Sequence, residues 1–271
     1  MPEPKLPQQG GPDRACSAIH RFVKRKLLLC ALLLGLSLSI CLGGVRRFTF
    51  IYEANTSAAG SLELENSITW QRAAGPDRFD QIDFRHELEY GVTDKFQASL
   101  YLADWFYEND REHSGFAYSD TAIELIYNLT SPVVDPVGLS IYGELRAGDR
   151  LIELESKLIA QKNLGPIILA YNVTLEATWE GSGLAESEGE FSQALGASYE
   201  ISPRISVGLE LLHEFVLPQW RDEEKIRNFF IGPNVSYRRE NWFVTVTALA
   251  QATDTVDEPD FQLRTIFGIG L

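Results

Sequence analysis

GSLELENSITW, residues 60–70, puts Leu62, Leu64, Ile68 and Trp70 on one side of an extended chain and Glu63, Glu65, Ser67 and Thr69 on the other. A period of two marks a β-strand with unlike faces. Eleven further segments read the same way: Phe79–Tyr90, Lys95–Tyr107, Ala117–Leu129, Val137–Ala147, Leu151–Gln161, Pro166–Glu180, Glu190–Glu200, Arg204–Leu217, Ile226–Tyr237, Trp242–Gln251 and Asp260–Leu271. With Gly60–Arg72 they make twelve strands. A sandwich also alternates, so the choice of fold rests on what separates the strands and where charge and aromatics fall.

The connections alternate in length. After even strands they are short: Gly91–Asp94, Ser131–Pro136, Asn163–Gly165, Ile201–Pro203 and Arg238–Asn241. After odd strands most are longer and acidic, as in Glu108–Phe116, Gly181–Gly189, Pro218–Lys225 and Ala252–Pro259, with Gly148–Arg150 a tight exception. Short turns on one rim and long loops on the other characterise transmembrane barrels. Tyr90, Phe96, Tyr127, Tyr199, Tyr237 and Trp242 fall beside the short turns, and Trp70, Trp105, Tyr107, Trp179 and Trp220 beside the long loops. Two such belts suit the two headgroup layers of a bilayer. The expected fold is all-β, a transmembrane antiparallel up-and-down barrel of about twelve strands, with ten or fourteen as neighbouring solutions. The chain ends on Phe261, Leu263, Thr265, Phe267, Ile269 and Leu271, alternating throughout. A terminal strand of this kind can close a barrel onto its first strand and remove both edges.

Arg21, Lys24, Arg25 and Lys26 precede sixteen uncharged residues, Leu27–Leu42, and then small residues. That run is short for a spanning helix, which needs roughly 20 residues, and fits a secretory signal peptide. Residues 1–43 are therefore expected to be cleaved, 44–59 to form a periplasmic or lumenal segment, and 60–271 the barrel. Cys16, Cys30 and Cys41 all precede the cut, so the mature chain has no thiol and no disulfide or cysteine chemistry. The net charge of −14 becomes −18 once six Lys or Arg and the acids Glu3 and Asp13 are removed. Such a surface does not suit nucleic acid.

Two stretches, GSLELENSITW and HELEYGVTDKFQASLYL (residues 86–102), resemble repeated phrases of poorly characterised outer-membrane barrels of the putative-transporter kind, including those associated with phenol-degradation pathways. In that family a Gly-Val-Thr-Asp turn recurs between strands, as at Gly91–Asp94. The resemblance implies an outer-membrane location and passage of solute, with lipid and the barrel-assembly machinery as partners. It supplies no catalytic residues. The terminal signal departs from the usual pattern in ending on Leu271 where an aromatic is common.

On this alternation Glu63, Glu65, Asp83, Arg85, Glu87, Glu89, Glu124, Glu144, Arg146, Glu153, Glu155, Lys157, Glu176, Glu210, Arg238 and Arg264 line the lumen, with Glu180, Glu190, Glu200 and Glu214 nearby. A carboxylate-rich aqueous passage favours cations. The expected function is a narrow, acidic-lined channel for small cationic or neutral solutes. The alternative is a non-conducting barrel with a plugged lumen, since twelve strands lie between filled eight-stranded barrels and 16- to 18-stranded pores. Isolated buried carboxylates are costly, which favours water inside. A barrel enzyme is the third reading. His86 and His113 and the His213–Glu214 pair are the candidates, but no nucleophile accompanies them and the wording of barrel phospholipases is missing. The acidic loops lack the spacing of a calcium site. No cofactor or metal is expected.

Overall fold

The computed structural model describes residues 44–74, 78–110, 114–222, 225–256 and 258–271. The expected signal peptide with its three cysteines, His113, and part of the acidic loops at 223–224 and 257 lie outside these residues.

The strand segments are β1 (Leu62–Ala73), β2 (Phe79–Thr93), β3 (Phe96–Tyr101), β4 (Trp105–Asn109), β5 (Ser114–Tyr118), β6 (Asp120–Thr130), β7 (Gly138–Gly148), β8 (Leu151–Leu164), β9 (Ile167–Glu180), β10 (Glu186–Ser202), β11 (Ile205–Pro218), β12 (Ile226–Arg238), β13 (Trp242–Gln251) and β14 (Phe261–Gly270). They form one antiparallel sheet that closes where β1 pairs with both β2 and β14. In the closing seam Glu63 stands opposite Gly270 and Arg72 opposite Phe261. Closure satisfies the backbone of what would otherwise be two edges.

Fourteen segments make twelve walls, because two walls are broken. β2 pairs with β3 along its Glu87–Thr93 part and with β4 along Asp80–Phe84, so β3 and β4 are one wall. β5 and β6 are likewise one, interrupted at Ser119. The Asp104 N–H donates to the Asp120 carbonyl at 2.9 Å and the Ser119 N–H to the Asp104 carbonyl at 2.8 Å, so the wall stays hydrogen-bonded across the break.

The two faces separate as the alternation requires. Outward positions carry Ile123, Leu125, Leu145, Leu158, Leu175, Leu195, Val207, Val235 and Phe267, all exposed. Charged residues on that face of the described strands stand near strand ends, at Arg72, Asp80, Lys162 and Arg227. The strand aromatics of both expected belts point outward, while Trp220 lies in a loop. On the long-loop side β9 ends at Glu180 as expected, while β10 begins at Glu186, four residues early, and β11 runs one residue further to Pro218, with Glu186 opposite Glu180 and Glu188 opposite Thr178 and Pro218. The expected loop Gly181–Gly189 is thus partly strand. Residues 186–189, Glu-Ser-Glu-Gly, carry no apolar side chain, so no alternation announces the extension.

Candidate functional site: the lumen and its plug

Residues 44–59 carry no regular secondary structure and lie inside the barrel, where Phe48 and Ala54 are wholly buried and Ile51 nearly so. Irregular backbone in an enclosed space needs partners for its N–H and C=O groups. The inward side chains of the walls supply them. Glu210 accepts from the N–H groups of Thr49 (3.0 Å) and Phe50 (2.8 Å). Asn172 accepts from the Tyr52 N–H at 2.7 Å and donates to its carbonyl at 3.0 Å, replacing a peptide partner. Gln161 and Asn128 do the same between them for Ala54, at 2.8 and 3.1 Å. Gln97 takes the Ser57 N–H at 2.8 Å, and the hydroxyls of Ser236 and Thr245 donate to the Arg46 carbonyl at 2.9 and 2.5 Å. The segment then returns to the short-turn rim, where the Gly60 N–H donates to Gly91 at 2.7 Å.

Its apolar side chains have a receptor as well. Phe48 and Ile51 pack on Ile168, Ala170, Ala194, Leu212, Phe230 and Leu249 from β9 to β13, a greasy patch inside the barrel. Ala54 and Tyr52 pack on Ile126, Tyr142 and Ile159 on the other side. A Cβ on Gly196 would lie 2.6 Å from the Phe48 ring, so glycine there makes the seat for the ring.

All sixteen side chains expected to line the lumen point inward, but they fall into distinct groups. Arg46 of the plug meets Glu65 at 3.3 Å and Glu89 at 3.8 Å, while Arg47 meets Glu53 at 2.6 Å and Glu200 at 2.7 Å. Arg238 joins Glu200 at 2.9 Å. On the facing wall Arg85 bonds Asp104 (2.7 Å) and Glu144 (3.2 Å), and Arg146 contacts Glu144 (3.1 Å), Glu153 (3.1 Å) and Asp120 (3.4 Å). Lys157 pairs with Glu155 at 2.5 Å and lies over the rings of Tyr52 and Tyr142. Glu124 accepts from the hydroxyls of Tyr52 (3.0 Å) and Tyr101 (2.8 Å). Asp83 is held by Gln71 and Gln81, Glu176 by Thr178, and Arg264 reaches over the Phe50 ring. Glu63 takes the Gly44 N–H, Glu87 borders the narrow gap described below, and Glu210 holds the plug backbone.

The free space lies on the charged side of the plug. A vestibule of about 490 Å³ opens toward the long loops, between Phe50, Asp83, Arg85, Glu108, Arg146 and Arg264. A cavity of about 70 Å³ lies below the plug, between Gly44, Arg46, Glu63, Glu65 and Glu89. Between them is a gap of about 10 Å³ that shares Arg85 and Arg264 with the vestibule and Arg46 and Glu65 with the lower cavity. That is room for about one water molecule.

The plug's apolar seat was missed in the sequence. Its signal was a failure of alternation: Ile167–Ala170, Leu211–Leu212, Phe229–Phe230 and Ala248–Leu249 are apolar on both faces. Two carboxylate trios, Glu63–Glu65–Glu89 and Glu153–Glu155–Glu176, have oxygens close enough to share an ion. Both already face side-chain cations, Arg46 in the first and Arg146 and Lys157 in the second. His213 and Glu214 project to opposite faces of β11, so the candidate acid–base pair does not form, and His86 bonds Asn66 on the outer face at 2.8 Å.

These features define a closed twelve-stranded barrel with a plug made from its own N-terminal segment. The chain belongs to a family of unknown function, DUF6662, whose model matches residues 44–258. Its fold is similar to that of the COG4313 outer-membrane channel from Pseudomonas putida F1, with a TM-score of 0.59 and 12% identity over 80% of this chain and 98% of that one. It is also similar to the NanC porin, with a TM-score of 0.52 and 9% identity over 78% of this chain and all of the other. At these identities the likeness is one of fold. Among curated proteins no match is found.

Proposed function

We propose that the protein sits in the outer membrane as a plug-restricted channel, passing water-sized and small ionic solutes along the charged side of residues 44–59. The observation that carries this reading is the succession of three adjacent spaces, of about 490, 10 and 70 Å³, that share Arg85 and Arg264 on one side and Arg46 and Glu65 on the other. The exposed aliphatic belt supports placement in lipid, and the fold is shared with outer-membrane channels. Composition alone favours a cation-selective lumen. At the narrowest point, however, Arg46, Arg85 and Arg264 face Glu65 and Glu87, which opposes that preference. Larger solutes require the plug to move.

The test is planar-bilayer recording of residues 44–271 beside the same barrel lacking 44–59. Small, weakly selective conductance in the first and large, cation-selective conductance in the second support the proposal. Equal conductance in the two, or silence in both from correctly folded barrels, refutes it.

A further inference from the structure

Gly44 is the first described residue, and its backbone nitrogen lies 2.5 Å from Glu63 Oε2. Glu63 is 5% exposed, and among the described residues no side-chain cation lies within ion-pair distance of it, Arg46 acting on it only from further off. Glu65 and Glu89, both similarly buried, place carboxylate oxygens within 4.8 Å of those of Glu63. Arg46 serves Glu65 and Glu89, yet Glu65 Oε2 is buried without any hydrogen-bond partner. Three enclosed carboxylates against one guanidinium is an unfavourable balance, because a buried charge needs both a counter-charge and hydrogen bonds. A single amide N–H at Gly44 supplies no charge.

Space at this point is tight. A Cβ on Gly44 would come within 3.1 Å of Glu63 Oε1, and one on Gly268 within 2.9 Å, so two glycines frame the carboxylate. The nitrogen of residue 44 is thereby seated against Glu63, at the edge of the lower cavity. We propose that export processing cuts the Gly43–Gly44 bond and that the resulting α-ammonium of Gly44 is the missing cation of the Glu63 site. Hydrolysis consumes one water, leaving a carboxylate on Gly43 and, with the proton released, an –NH₃⁺ group on Gly44. Its charge pairs with Glu63, and it has two more N–H donors than the amide for the lower cavity, which Glu65 also lines. The plug is thereby fastened at its start by an ion pair that the unprocessed chain cannot make. This inference rests on export of the chain and is independent of whether the barrel conducts.

The experiment uses the full chain, expressed with its own leader and purified from the outer-membrane fraction. Intact mass should give a mature chain of residues 44–271. Amine-selective acylation at neutral pH, read by N-terminal peptide mass, should label the Gly44 amine slowly in the wild type and at least tenfold faster in Glu63→Gln. Glu63→Asp, which keeps the charge, should remain slow, and it guards against a variant that fails to fold. A mature chain beginning at another residue overturns the proposal. So does a Gly44 amine that reacts equally fast in wild type and Glu63→Gln when both run as heat-modifiable folded barrels.

Discussion

Glu210 on β11 holds the backbone of Thr49 from across 161 positions of sequence, accepting its N–H at 3.0 Å. The same carboxylate, wholly buried, also accepts from the Phe50 N–H, from Asn234 Nδ2 at 2.8 Å and from Thr247 Oγ1 at 2.6 Å. Hydrogen bonds to a charged group contribute about 1.5–3 kcal/mol each, and leaving a buried donor unpaired costs about 1–3 kcal/mol. Glu210→Ala strands four donors at once. The docked plug should lose at least about 3 kcal/mol, which raises the undocked population more than a hundredfold. Limited proteolysis in detergent checks this: cleavage within residues 44–59 should accelerate while the barrel core stays intact.

Gly196 offers a second handle on the same equilibrium. Its missing side chain is the space that the Phe48 ring occupies, so Gly196→Ala drives a methyl group into the ring and into Ile51. Neither can retreat into the packed patch of Ile168, Leu212, Phe230 and Leu249. Overpacking of this kind costs about 1–3 kcal/mol. Phe48→Ala relieves the clash but forfeits about 3–5 kcal/mol of docking. Each change alone should expose the plug to protease. The double variant should fall close to Phe48→Ala alone, because the ring makes the tightest contact and only the Ile51 methyl, 2.9 Å from the added carbon and at the end of a flexible side chain, is left to shift.

The barrel was legible in the sequence because each face of each wall has one medium. Lipid on one side and polar groups on the other impose a strict period of two, and β1 shows it in Leu62, Leu64, Ile68 and Trp70 against Glu63, Glu65 and Ser67. The plug was less legible, since irregular backbone leaves no period; Phe48–Thr56 read equally well as periplasmic. What identified it is a set of long-range bonds, such as Tyr52 to Asn172 and Arg47 to Glu200, that no local pattern encodes. The acid excess was visible, but not that plug N–H groups and Arg46 and Arg47 satisfy part of it. The breaks at Leu102–Asp104 and Ser119 were also hidden, because the alternation runs nearly through them.

Asn66 and His86 form a polar pair on the outer face of β1 and β2, 2.8 Å apart, flanked in register by Leu64–Leu88 and Ile68–Phe84. In lipid such a pair contributes about 0.6 to 2 kcal/mol, since neither group has water to fall back on. Asn66→Leu should therefore destabilise the barrel by leaving the imidazole unpartnered. Asn66→Leu with His86→Leu should recover that loss or exceed the wild type. Denaturant unfolding in lipid vesicles followed by tryptophan fluorescence gives the comparison, and a double variant weaker than the single would contradict a merely structural pair.

Arg264 is the cation at the gap with the weakest hold on a counter-charge. It stacks on Phe50, its Nε is buried without a hydrogen bond, and no carboxylate pairs with it among the described residues. Arg85 beside it is tied to Asp104 and Glu144. Removing the charge at 264 therefore changes the field in the gap while breaking no ion pair, whereas removing Arg85 would release two carboxylates as well. A unit charge acts on an ion 4 Å away with about 1 kcal/mol in water-like surroundings and more where water is scarce. Arg264→Gln should thus raise the cation-to-anion permeability ratio at least about fivefold with the plug in place. The reversal potential under a potassium chloride gradient reads this directly. In the barrel lacking 44–59 the lumen is wide and well screened, so the same substitution should barely move the potential. An equal shift in both backgrounds would mean that Arg264 acts on the lumen as a whole and that the gap beside the plug does not set selectivity.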